Sequence, residues 1–364
     1  MLQNWLTSVK VDYKDQQINS FAQRIQIYTD KFPDLSDTKV VLLAIHAASG
    51  DAVREQLYSL QFHFGQLEVA DLGNIRNQNT AFFTQVIQEL INSKIVPIIL
   101  GEHTQETLAQ YQAYPPLRQL SNIAIIDERI HFSPQKEEAA NHYLNPIING
   151  AQAGLFNVGA IGFQTHFVPA TTLELFENRH FDTLRLGKIK ADLSSAEPFI
   201  RDADLLCFNL ASLKHSAAPA QTNGFPTGLT IEEACQLTYY AGLSDKLSSV
   251  GFYGFQPQQD LAQQTAKSIA LLIWYFFDGF YRRKGDYPIS THGLVEYIVQ
   301  LKKYDYELTF WKSKRSNRWW LQVPMRTQQK HQRHKLVPCA YEDYVTASEG
   351  ELPDRLWNAF RRFA

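Results

Sequence analysis

Eight short apolar runs separated by helical patterns constrain this chain more than any single residue does. They cover residues 40–45, 67–72, 95–100, 123–126, 156–161, 183–186, 205–210 and 250–255. Helical periodicity occupies residues 52–60, 80–92 and 106–111 between them. Alternation of this kind is the mark of a mainly parallel sheet covered on both faces. The order predicts a three-layer α/β/α architecture around a mainly parallel, about eight-stranded sheet. Thr230-Ile231-Glu232-Glu233 places a hydroxyl at an N-cap and a carboxylate at N3, so a helix is predicted from there through Ala241, with Gly242 as its stop. Residues 260–281 read as one long helix leaving through Arg282-Arg283-Lys284-Gly285, with cations at the negative end of its dipole.

The texture changes near residues 282–288, which divides the chain into an α/β domain, 1–284, and an aromatic-rich C-terminal appendage of α+β type, 285–364. Residues 307–311 and 318–323 flank a polar segment, 312–317, and predict a β-hairpin. Residues 341–360 predict short helices around Pro353. With Trp311, Trp319, Trp320 and Trp357 all in the appendage, a buried interface is expected there, against the main domain, a second subunit or another protein. Lys312, Lys314, Arg315 and Arg318 beside these rings offer the residue types that stack single-stranded nucleic acid. A hairpin with its aromatics packed inward and its cations in solvent is the expectation instead. Lys330, His331, Arg333 and His334 form a further cationic cluster without ligand spacing, which reads as surface.

Composition narrows the function classes. Lys plus Arg number 35 against 37 Asp plus Glu, so no global field recruits nucleic acid or an acidic membrane. The longest apolar stretch, 269–277, is about half of the roughly 20 residues a membrane span needs, and reads as a buried helix. Met1-Leu2-Gln3-Asn4-Trp5 carries no secretory pattern. Cys207, Cys235 and Cys339 are few, odd in number and far apart, which fits a reducing compartment and predicts a cytoplasmic protein.

Three of the apolar runs lead into polar segments, where an α/β sheet normally carries its chemistry. The segments are Gly101-Glu102-His103-Thr104-Gln105, Asp127-Glu128-Arg129-Ile130-His131 and Asn209-Leu210-Ala211-Ser212. In spacing and order they resemble the metal-binding motifs GGDHS, DAHxD and SxDxDxxDP of the ureohydrolase family of arginase, agmatinase and formimidoylglutamase. The resemblance covers about residues 38–281. It is carried furthest by Pro226-Thr227-Gly228-Leu229-Thr230-Ile231-Glu232-Glu233-Ala234, similar to the family's GLT..EA segment, and by Gly251 to Asp260 with Thr265-Ala266. Formimidoylglutamase is the nearest flavour.

The resemblance implies an arginase-like fold and a centre of two manganese ions held by two histidines and four aspartates, whose bridging water attacks a guanidinium or formimino carbon. Carried over by position, Asp127 keeps a ligand place, Arg129 stands at a histidine place and His131 at an aspartate place. Asn209 and Ala211 stand at two aspartate places, and Gly254 at the substrate-side glutamate. In the first motif His103 or Thr104 takes the histidine place, depending on a one-residue slip.

Four metal charges in a partly desolvated pocket need carboxylates, since an uncompensated buried ion costs several kcal/mol. Here Asp127 supplies one charge, Glu128 is a second candidate, and Arg129 adds a cation that cannot ligate. The expectation is a protein of this fold that has lost the binuclear centre, with no cofactor, acting in binding, regulation or assembly. Its vacated pocket would be formed by Thr104, Glu128, Arg129, Asn209, Ala211 and Gly254 and would hold a small molecule, an anion near Arg129 being one option. An ion pair of Asp127 with Arg129, or loop hydrogen bonds, would satisfy the buried charge.

The alternative is an active amidinohydrolase of formimidoylglutamase or agmatinase type, cleaving linear amidine C–N bonds with manganese at a remodelled site. A single zinc on Asp127, His103 and His131 is a third option, because two imidazoles and a carboxylate suit it. Ser212, Lys214, His215 and Ser216 have no elbow or spacing that makes a triad.

Overall fold

The computed structural model describes the chain except for residues 1, 13–16, 78, 115, 117–119, 136–141, 151–153, 289–290, 302–305, 324–335 and 364. All eight apolar runs form strands. In chain order the main sheet contains β1 (Leu6–Thr7), β2 (Gln26–Ile27), β3 (Val40–Ala44), β4 (Val69–Ile75), β5 (Val96–Leu100), β6 (Ser121–Ile126), β7 (Leu155–Phe163), β8 (Asp182–Arg185), β9 (Leu205–Asn209) and β10 (Ser249–Tyr253). Their spatial order is β1-β4-β3-β5-β10-β9-β6-β7-β8, with β2 also on β4, which makes ten strands rather than eight. The two additions are two-residue edge pieces, too short for any periodicity to announce. β1 runs antiparallel to β4, and the other pairings are parallel.

Both faces of the sheet are covered. One carries a core that includes Leu42, Ile98, Leu206 and Phe252 against Ile269, Ile273 and Phe276 of the helix Gln264–Tyr281. The other carries Leu43, Ile99, Ile125 and Cys207 against Val86, Ile87 and Leu90 of the helix Thr80–Asn92. Odd and even positions of each strand thus feed opposite layers.

Three helices differ from their predicted extents by more than one residue. The first spans Ala47–Leu57 rather than 52–60. The helix after Thr230 has its capping box and spans Ile231–Leu243, past Gly242. Gly242 is a close-approach position: a Cβ there would lie 2.1 Å from Phe276 O, and one at Gly279 2.2 Å from Tyr239 O. The glycine lets two helix backbones touch and does not end the helix. The long C-terminal helix begins at Gln264, not Asp260. Ala262 and Gln263 sit at φ 59° and 55°, and the Asp260 carboxylate accepts from Thr265 N at 2.9 Å and Ala266 N at 2.8 Å. Asp260 therefore serves the helix's free N–H groups from outside.

The appendage is a four-stranded antiparallel sheet ordered β11 (Leu294–Leu301), β12 (Tyr306–Ser313), β13 (Trp319–Gln322) and β14 (Leu336–Cys339), with helices Tyr341–Ser348 and Asp354–Phe363. The predicted hairpin is β12–β13. Trp319 and Trp320 are buried, Trp311 donates to Gln322 Oε1 at 2.9 Å, and Trp357 is exposed. The appendage docks on the main domain through Arg201, which donates to Trp319 O and Cys339 O, both at 3.1 Å, and stacks over Trp320 at 4.6 Å. Arg362 pairs with Asp182 at 3.0 Å. Of the hairpin cations, Arg318 faces inward and donates to Leu243 O at 3.2 Å, while Arg315 is exposed and donates to Gly285 O at 3.2 Å. Lys330, His331, Arg333 and His334 lie outside the described residues. No described helix is long and apolar enough to cross a membrane, and the three cysteines are free and buried.

One buried polar network ties the helix Ala47–Leu57 to β4. Arg54 Nε and Nη2 donate to Asp71 Oδ2 and Oδ1 at 2.8 and 3.0 Å, and Tyr58 OH donates to Asp71 Oδ2 at 2.8 Å. Neither charge reaches solvent. Removing Asp71 leaves the buried Arg54 with only the partly exposed Asp51 as an anionic partner, at 3.2 Å, so Asp71→Ala is predicted to lower unfolding free energy by about 3–5 kcal/mol in denaturant titrations.

Candidate functional site

Strand register assembles the site. Ile126 pairs with Phe208 and Tyr253 with Asn209, so the residues just beyond β6, β9 and β10 emerge level with one another. On the other side Leu100 pairs with Phe252 and Ala44 with Leu100, which brings the turns after β3 and β5 alongside Gly254. Above these ends lies a cavity of about 290 Å³. Of the residues singled out in the sequence, His103, Thr104, Glu128, His131, Asn209, Ala211 and Gly254 line it, together with Glu102, Gln105, Thr222 and Asn223. Both alternatives for the first motif, His103 and Thr104, are on the wall. Arg129 is not among the lining residues.

Asp127 is buried beneath this wall and saturated with donors. Its Oδ1 accepts from Glu128 N at 2.7 Å, and its Oδ2 accepts from Asn209 Nδ2 at 2.8 Å and from Tyr143 OH at 3.5 Å. His131 Nε2 lies 3.3 Å from the same Oδ2. The Asn209 amide is held from its other end, since Oδ1 accepts from Ala211 N at 3.2 Å. Arg129 does not pair with Asp127: its Nε donates to Glu128 Oε1 at 2.7 Å and its guanidinium lies over Phe167 at 5.4 Å. Loop hydrogen bonds, not a cation, satisfy the buried aspartate.

Burial shifts the titrating groups in opposite directions. It pushes the Asp127 carboxyl up, against the hydrogen bonds from Glu128 and Asn209. Burial, then the neighbouring Asp127 charge, pushes Glu128 up to about 8, and the Arg129 guanidinium does not offset them. Glu128 Oε2 is buried with no hydrogen-bond partner. His131 is pushed down to about 4 by burial, so its contact with Asp127 is that of a neutral imidazole rather than an ion pair.

A second cluster stands at the β3 and β5 side of the cavity. His46, Glu102 and His103 bring ligand atoms within 4.8 Å of one another, as no other three His, Cys, Asp or Glu do among the described residues. His46 Nε2 is 2.6 Å from Glu106 Oε1, and the hydrogen bond to Glu106 raises the His46 pKa despite burial. Glu106 Oε2 accepts from His103 N at 3.2 Å. The residues of the zinc option weighed from sequence are not brought together: His103 meets His46 and Glu102, while His131 sits on Asp127. His46 and Glu106 belong to no motif; the one signal for His46 is that it follows the apolar run 40–45, as the three polar segments follow theirs.

The opposite shifts of Glu128 and His131 set a pH prediction. Folded Glu128 keeps its proton up to about 8, whereas its ordinary value is 4.5. Between those values the folded state binds more protons, and stability falls as pH rises. His131 works in reverse: folded, it stays neutral down to about 4 against an ordinary 6.5, so stability falls as pH drops through that window. Above pH 6.5 Glu128 acts alone of the two. Glu128→Gln is predicted to flatten the loss of stability from pH 6.5 to 8, a slope of at most about 1.4 kcal/mol per pH unit, in denaturant titrations across that range.

No protein-family model matches the chain and no curated protein matches its sequence. Solved structures do resemble it. The formiminoglutamase of Trypanosoma cruzi with manganese superposes at a TM-score of 0.61 with 14% identity, covering 69% of this chain and 96% of that one. The formimidoylglutamase of Bacillus subtilis reaches 0.63 with 12% identity, covering 77% and 97%. The agmatine ureohydrolase of Thermoplasma volcanium reaches 0.55 with 14% identity, covering 74% and 97%. A further match is described as an arginase superfamily protein. What a sheet of this order, with polar turns converging above its strand ends, shares with them is architecture: this chain has an arginase-like fold.

Proposed function

We propose that this chain is a ureohydrolase-type protein without the binuclear manganese centre of that family, and that it binds a small polar molecule in the cavity rather than hydrolysing one. One observation carries the reading. Asn209 stands at an aspartate place and donates its amide N–H to Asp127 Oδ2 at 2.8 Å, the oxygen on which a metal bridging the two side chains would depend. An amide donor supplies no charge and ligates weakly, and Ala211 and Gly254 offer no ligand at all. With Glu128 pushed up to about 8, the negative charge at the family's ligand places rests near neutral pH on Asp127, too little for two divalent ions. The residues do not fit the manganese pair.

The same wall indicates the kind of ligand. Its lining residues include carboxylic, imidazole and amide groups but no lysine or arginine. Arg129 is engaged with Glu128 and Phe167, so the anion first expected there is not favoured. The Glu102 side chain and the side-chain oxygens of Gln105 and Asn223 on this wall favour a ligand that brings N–H donors.

The competing reading is an amidinohydrolase with a remodelled metal site. The test is hydrolysis of formimidoylglutamate, agmatine and arginine by the purified protein with added manganese. The expected result is turnover no faster than in buffer alone; turnover abolished by a chelator would overturn the proposal and establish the competitor.

A further inference from the structure

We propose that His46, Glu102 and His103 form a site for one zinc-class divalent ion at the edge of the cavity, with Glu106 as the carboxylate that positions His46. His103 is one of two candidates for a ligand place of the manganese pair, but His46, Glu102 and Glu106 occupy none, so the site needs neither that pair nor the binding-protein reading.

Geometry and ligand chemistry agree. The three side chains come from two neighbouring turns, after β3 and after β5, which the pairing of Ala44 with Leu100 sets side by side. Their ligand atoms lie within 4.8 Å of one another, and tetrahedral coordination at roughly 2.1 Å needs them about 3.4 Å apart. An adjustment on the order of 1 Å closes the set, within reach of the exposed His103 side chain by rotamer change. The two imidazole rings meet at 86° with centroids 5.5 Å apart, so they approach a common point from different directions rather than stacking.

Glu106 gives the site its supporting layer. His46 Nε2 is 2.6 Å from Glu106 Oε1, so in the neutral ring a proton on Nε2 is held by the carboxylate and Nδ1 is the nitrogen that would ligate. Histidines that hold metals are ordinarily oriented in this way by a carboxylate on the other ring nitrogen. The second Glu106 oxygen accepts from His103 N at 3.2 Å, so one side chain ties both histidine-bearing turns together. Gly101 makes room for it: a Cβ there would lie 1.9 Å from Glu106 Oε2 and 2.7 Å from the buried Tyr253 ring. Two imidazoles and one carboxylate suit zinc better than manganese, which prefers oxygen-rich sets. Glu102 and His103 line the cavity, so the remaining coordination position opens to whatever the cavity holds.

The test is titration of the full chain, stripped with chelator, with zinc and with cobalt as a spectroscopic probe, the visible cobalt band reporting nitrogen and oxygen coordination. The expected result is one ion per chain, with affinity lowered by at least about 100-fold in His103→Ala and His46→Ala and by roughly 10- to 100-fold in Glu106→Gln. His103 is exposed, so His103→Ala tests the site even if His46→Ala fails to fold. His131→Asn is expected to keep wild-type affinity. Wild-type protein that binds no stoichiometric zinc or cobalt, binding that survives His103→Ala, or binding lost in His131→Asn would each overturn the assignment.

Discussion

A carboxylate that leaves water must be met by donors or by a cation, and the site of this protein is organised by how that demand is met at Asp127. Its oxygens are taken up by the Glu128 backbone, the Asn209 amide, the Tyr143 hydroxyl and, at longer range, the His131 ring. Those partners come from the ends of β6 and β9 and from the segment that follows β6, so satisfying one charge also fixes the relative positions of the strand ends. The neighbouring carboxyl has no such set of donors. Glu128 is shifted up to about 8 because it is buried beside the Asp127 charge, which the hydrogen bond from Arg129 does not offset.

The fold was legible because it depends on apolar periodicity sustained over many residues. The eight runs, the capping box at Thr230 and the β12–β13 hairpin are all local signals strong enough to survive packing. What sequence did not show depends on contact between distant segments. Gly242 looks like a helix stop until the helix containing Gly279 presses against it, and Asp260 looks helical until its carboxylate is found serving Thr265 and Ala266. The short β1 and β2 exist only because β4 offers them an edge.

The site divides along the same line. Residues in the three segments after β5, β6 and β9 converge because parallel register carries them to one level, and register follows from the apolar runs. Side-chain direction does not follow. Arg129, two residues from Asp127, turns to Glu128 and Phe167 and leaves the cavity wall to acids, imidazoles and amides. His46 and Glu106 lie 60 residues apart and outside any motif, so their pairing is a property of the folded chain alone. A fold shared with a manganese-containing structure at 14% identity carries architecture to this protein, while its chemistry has to be argued from its own side chains.

The measurement that bears most directly on the proposed absence of a metal pair is manganese per chain, by elemental mass spectrometry, in protein purified from manganese-supplemented medium. No stoichiometric manganese is expected, because Asn209 and Ala211 leave the second ion without ligands and Asp127 is already bonded. Close to two manganese per chain would contradict this and would mean that the Asn209–Asp127 contact opens to admit the metal pair.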